Sequence, residues 1–164
     1  MTVIECINSY RWATPPLIIF EGKVHISTWY KEGDLPYDWT IGVSDNGWTN
    51  NELGITWLCT VFNKYTKDCT KGRYRLLVLD GHKSHITDEF KQFCRQNDII
   101  TLCMPPHSSH ILQPLDVGCF SSLKNLYRQE VASSIHLGIN HVDKQEFLSM
   151  YKHACTNALS SNNI

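Results

Sequence analysis

Two runs, the apolar LLVL at residues 76–79 and the largely apolar IITLCM at residues 99–104, constrain this chain most strongly. Neither alternates polar with apolar side chains, so each reads as a strand buried on both faces. Between them, Thr87 precedes Phe90, Phe93 and Cys94 at helical spacing, which predicts a helix over 87–97 with Thr87 as its cap. Strand, helix and strand in so short a span predict a parallel, right-handed crossover. Ligands of such sheets gather at the carboxyl ends of the strands, and the first run ends there on Asp80-Gly81.

The rest of the chain fits around that unit. Residues 2–8 (TVIECIN) and 17–20 (LIIF) read as two strands of a hairpin, joined by a turn that ends in Pro15-Pro16. Residues 21–47 hold four glycines, Pro36 and several aromatics, and predict an irregular connection. TNNE at 49–52 predicts a capping box with Thr49 as cap. Leu53, Trp57, Leu58, Val61 and Phe62 would then bury one helical face. Residues 64–75 are basic and loop-like, and residues 105–114 have proline at both ends, so they cannot be helical throughout. Helices are expected over 115–133 and 144–159. The whole is an α/β chain with a mixed sheet flanked by helices. It forms one domain over residues 1–160, with a frayed tail at 161–164.

Composition narrows the function classes. The 164 residues are 42% hydrophobic, enough for a packed core, and carry a net charge of −1. A chain of that charge is not a general polyanion binder, so any contact with DNA must use a local cluster. The seven cysteines include no CxxC pair, which argues against a zinc ribbon or a dithiol redox site. There is no signal-peptide pattern at residues 1–9 and no apolar run long enough for a membrane span, so a reduced, intracellular protein is expected.

Asp80, at the end of a strand, suits a metal ligand, although Asp-Gly is also a common turn. Asp116 follows Gln113-Pro114-Leu115 and opens a helix, where an acid also favours the macrodipole. His82 with His85, and His107 with His110, each follow a predicted strand. They could hold zinc, hydrogen-bond loop backbone, or support a metal site from behind its ligands. Lys64, Lys67, Lys71, Arg73 and Arg75 form a basic run that would meet phosphates or simply face solvent.

Three stretches carry a resemblance: LLVLDGHKSH (76–85), LCMPPHSSHILQPLDVGCF (102–120) and SSLKNLY (121–127). Together they resemble the core motifs of the DDE superfamily endonucleases, in the pogo branch of mariner-like transposases. Residues 2–23 resemble that family's second and third strands. The resemblance implies a ribonuclease-H-like fold and metal-dependent DNA strand cleavage and transfer. It implies that Asp80 and Asp116, with 35 residues between them, are catalytic and metal-binding. The metals would be Mg²⁺ or Mn²⁺ as a pair, because hard cations take carboxylate oxygens. His82, His85, His107, His110 and Gln113 would stand behind the ligands or on the substrate side. Lys71, Arg73 and Lys124 would be candidate phosphate contacts. The partner would be DNA, with self-association a further expectation, no membrane, no small-molecule cofactor and a nuclear location. The family's first aspartate lies on a strand upstream of the part that resembles residues 1–20, so an incomplete acid set lacking that first strand is expected. Two other readings remain open: a non-catalytic nucleic-acid-binding or interaction module, domesticated or decaying, and a zinc-dependent hydrolase built on the four histidines.

Overall fold

Four consecutive residues, Leu17, Ile18, Ile19 and Phe20, are almost wholly out of water. Their strand can be buried on both faces only if it lies inside a sheet with a layer on each side. A computed structural model, which describes residues 1–24, 35–80, 87–136 and 141–164, shows this arrangement. Strand β1 (Thr2–Ile4) pairs antiparallel with β2 (Leu17–Glu21), and β2 pairs in parallel with β3 (Thr40–Ser44). The hairpin is as expected, but β1 is shorter than residues 2–8. Beyond it a single bridge, Ile7 to Ala13, carries the hairpin on.

Strand β3 corrects the expectation of an irregular connection. Its TIGVS sequence has a glycine at its centre, which weakens the strand signal. The structure gives the reason for that glycine. A Cβ on Gly42 would lie 2.8 Å from Leu53 Cδ2, so the Leu53 side chain from the next helix would have to shift.

That helix begins as α1 (Asn51–Trp57), passes through a π-helical segment (Leu58–Asn63), and ends as α2 (Lys64–Thr66) and a 3₁₀ turn (Lys67–Cys69). Its cap is Asn50, whose Oδ1 accepts from the Leu53 N–H at 2.8 Å, not Thr49. The basic stretch expected to be a loop instead prolongs the helix to Cys69. Trp57, Leu58, Val61 and Phe62 are buried, as their spacing predicts.

Strands β4 (Arg75–Leu79) and β5 (Ile99–Cys103) run parallel around α3 (Asp88–Gln96), in register from Arg75↔Ile99 to Leu79↔Cys103. Thr87 caps α3 by accepting from the Phe90 N–H. Burial on both faces is not observed. Leu77, Leu79 and Ile99 face the core, whereas Leu76, Val78, Ile100 and Leu102 are 45–61% exposed on the other face. Among the described residues the strands form two hydrogen-bonded sheets, one mixed and one parallel, rather than a single one.

One core joins the two sheets. Leu17 and Ile19 of β2 pack with Trp57, Leu58, Val61, Leu77, Leu79 and Phe90. On the opposite face of β2, Ile18 and Phe20 pack with Ile41 against two helices, α5 (Phe120–His136) and α6 (Lys144–Ala158). Before them come α4 (Ser109–Leu112) and a second π-helical segment (Leu115–Cys119). A capping box of Asp143 and Glu146 starts α6. The result is helix, sheet and helix in layers, with β2 in the middle.

Candidate functional site

The parallel register sets the site end of β4 and β5. Leu79 is level with Cys103, and the Met104 N–H then donates to the Leu79 carbonyl at 2.9 Å. The chain leaving β5 therefore starts beside Asp80, the residue that directly follows β4. Asp80 and the start of the 105–116 segment therefore leave the carboxyl end of this sheet side by side, the end where ligands of such sheets gather.

The 105–116 segment is built to turn there. Ser108 Oγ donates to the Pro105 carbonyl at 2.7 Å. His107 has φ of +62°, a left-handed backbone that in a non-glycine residue costs on the order of 1 kcal/mol and is commonest at functional sites. A short helix, α4, follows. Gln113 closes it by donating its N–H to the Ser109 carbonyl at 2.9 Å, while its own carbonyl accepts from the Val117 N–H at 3.0 Å. Gln113 thus joins α4 to the π-helical turn that carries Asp116.

His107, Ser109, His110 and Asp116 line one cavity of about 610 Å³. The structure so brings together three of the residues singled out from sequence. Asp80 stands at the same end of the sheet but is not among the residues lining that cavity. His82 and His85 lie outside the described residues. Asp116, His107 and His110 are exposed.

The donor set is right in kind for a divalent ion but short in number. Two carboxylates offer hard oxygens, and two imidazoles stand by one of them. Among the described residues no three histidine, cysteine or acidic side chains are close enough to hold a metal ion. The described donors do not close a metal site by themselves.

The basic run divides by role. Arg75 holds the fold: its guanidinium donates to Asn63 Oδ1 at 2.8 Å, Thr66 Oγ1 at 2.9 Å and the Asn97 carbonyl at 2.9 Å. Burial pushes its pKa down, against the pull of Asp98. Arg73 lies over the Tyr74 ring at 5.0 Å and pairs with Asp98 at 3.7 Å. Lys71 lies over the Tyr10 ring at 4.3 Å, and Lys124 is exposed on α5.

Sequence reasoning missed a buried cluster under α6. Glu5, just after β1, accepts from the Tyr151 hydroxyl and from Cys155 Sγ at 3.6 Å. Desolvation pushes its pKa up to about 7, against the lowering effect of those two hydrogen bonds. A glutamate inside an apolar, β-branched strand was the only signal, and it did not reveal the partner 146 residues away.

The sequence of the DDE superfamily endonuclease family matches residues 1–164. "MFS-type transporter clz9" of Cochliobolus lunatus is 50% identical over 164 residues, all of this chain and 18% of that protein. "Pogo transposable element with ZNF domain" of Homo sapiens is 22% identical over 128 residues, 78% of this chain and 9% of that protein. "Pogo transposable element with KRAB domain" of Homo sapiens is 27% identical over 124 residues, 76% of this chain and 19% of that protein. The chain spans less than a fifth of the length of each of these relatives. The transporter name belongs to that longer protein; among the described residues here, no helix is long and apolar enough to cross a membrane. No solved structure matches. With the family matched from the first residue to the last, this chain belongs to the DDE superfamily endonucleases.

Proposed function

We propose that this chain is a transposase-derived DNA endonuclease core, ribonuclease-H-like in arrangement, in which Asp80 and Asp116 are catalytic metal ligands. The observation that carries the reading is the shared sheet end: Asp80 directly follows β4, and the segment leaving β5 beside it leads to Asp116. Divalent ions at this end, Mg²⁺ or Mn²⁺, would supply an activated oxygen nucleophile and stabilise the leaving oxyanion. The residues of this chain have other tasks. Asp80 and Asp116 would fix the ions from two separately anchored segments. His107 and His110 would orient ligands or water beside Asp116. Gln113 would hold the turn that aims Asp116. Lys71, Arg73 and Lys124 would meet phosphates. Action on DNA would call for a nuclear location.

Among the described residues no three histidine, cysteine or acidic side chains come together, which leaves the set incomplete for two ions. Full activity would need a third carboxylate, so metal binding by this chain should be weak. A non-catalytic DNA-binding role is the second reading, favoured by the exposed Lys71–Tyr10 and Arg73–Tyr74 pairs. A strand-cleavage assay in Mg²⁺ and in Mn²⁺, with Asp80→Ala as the control, tests the incompleteness. No cleavage above that of the Asp80→Ala variant is expected. Robust cleavage that the substitution abolishes would show that the acids in hand suffice.

A further inference from the structure

A second cavity, of about 600 Å³, shares no lining residue with the one at Asp116. It is lined by Trp12, Trp39, Tyr65, three prolines and a single charged residue, Asp38. Asp38 and both tryptophans are half-buried, so each keeps surface open to solvent. Among the described residues no cation of this chain pairs with the Asp38 carboxylate.

Electrostatics selects the sign of the ligand. An aromatic ring presents a negative face, and indole is the best of the aromatic side chains at holding a cation. Two indoles beside a lone carboxylate therefore make a negative surface in an apolar wall, which attracts cations and disfavours phosphate. The rim shows the same preference, where the exposed Lys64 ammonium lies 5.0 Å from the centre of the Tyr65 ring. Tyr65 being so covered, Trp12, Trp39 and Asp38 are the groups left to a ligand.

Hydration then selects among cations. A primary ammonium is compact and strongly hydrated, so it gives up much on leaving water. Methyl groups on the nitrogen replace its N–H donors, weaken that hydration and add apolar surface to lay against indole and proline. The walls are also fixed in advance, which cuts the cost of binding. The Trp12 N–H donates to Asn8 Oδ1 at 3.2 Å, and its carbonyl accepts from the Asn8 N–H at 3.0 Å. The Trp39 N–H donates to the Pro36 carbonyl at 3.1 Å, and its ring packs edge-on against Tyr151, with centroids 5.8 Å apart.

From this geometry we infer that the cavity binds a quaternary ammonium group, a trimethylated nitrogen on an alkyl chain, against the indoles of Trp12 and Trp39 with Asp38 as its counter-ion. The inference goes beyond the DNA-cleaving reading and does not depend on it. Two sources present this group: a trimethylated lysine of a peptide and a free choline-like cation.

The test is isothermal titration calorimetry of the whole chain. The ligands are a short peptide bearing trimethyllysine, the same peptide with unmodified lysine, choline, and the neutral isosteres of the two quaternary ligands in which carbon replaces the charged nitrogen. Saturable binding of a quaternary ligand is expected, at least about 5-fold tighter than its neutral isostere. Binding by choline as well as the peptide assigns the site to the ammonium group itself, and binding by the peptide alone makes the peptide its source. Trp12→Ala should weaken binding about 2- to 30-fold. The isosteric Asp38→Asn should weaken it about 2- to 5-fold and flatten its salt dependence. The inference is overturned if neither quaternary ligand binds, if the neutral isosteres or the lysine peptide bind as tightly, or if both variants bind like the unaltered chain.

Discussion

Glu5→Gln should flatten the pH dependence of this fold, and the size of the change follows from the burial of Glu5. Glu5 is 8% exposed, and its Oε2 has no hydrogen-bond partner among the described residues. Desolvation raises its pKa from the ordinary 4.5 to about 7, net of the hydrogen bonds from Tyr151 and Cys155 that pull it down. Because the folded pKa is the raised one, the folded state holds this proton more tightly than the unfolded chain. Its contribution is therefore complete below pH 4.5 and is lost as pH rises through about 7. A rise from 4.5 to about 7 corresponds to roughly 3 kcal/mol. The neighbouring thiols and phenol do not blur the window. Burial pushes Cys6 up to about 12 and raises Cys155 and Tyr151 as well. Every other titratable side chain is common to the two proteins, so the difference between them isolates Glu5. The assay is urea unfolding, followed by tryptophan fluorescence, at several pH values from 5 to 8. Glutamine keeps an acceptor for Tyr151 and carries no titrating proton. Wild type should lose about 2.5 kcal/mol relative to Glu5→Gln across that range. Parallel pH profiles for the two proteins would refute the reasoning.

Two further substitutions test the packing. Phe90 is fully buried where α3 meets both sheets, so Phe90→Ala should cost about 3–5 kcal/mol by the same urea assay, with wild-type-like stability the contrary result. Asp143 accepts from the Gln145 and Glu146 N–H groups at 2.8 Å to start α6, and Asp143→Ala should lower stability by about 1 kcal/mol, measured as a shift in Tm.

The elements that were legible in the sequence are those whose signal is local. Thr87 before a helical stripe, and LIIF after two prolines, each specify a start or a strand without help from the rest of the chain. The misses come from long-range packing. The run LLVL states that a strand is apolar, but not that one of its faces stays uncovered; Leu76 and Val78 are exposed. Strand β3 hides behind Gly42, whose lack of a side chain answers to Leu53 in the next helix. The site divides in the same way. Asp116, His107 and His110 line one cavity, and one short segment carries all three. The Glu5 cluster was not legible, because its partners come from α6, at the far end of the chain.

The central claim is that Asp80 and Asp116 hold a divalent metal at one end of the β4–β5 sheet. Its most direct measurement is Mn²⁺ binding followed by electron paramagnetic resonance, comparing the chain with Asp80→Asn and with Asp116→Asn. Weak but saturable Mn²⁺ binding that either substitution abolishes is expected. Binding unchanged by both substitutions, or tight zinc binding that displaces Mn²⁺ and survives them, would contradict it.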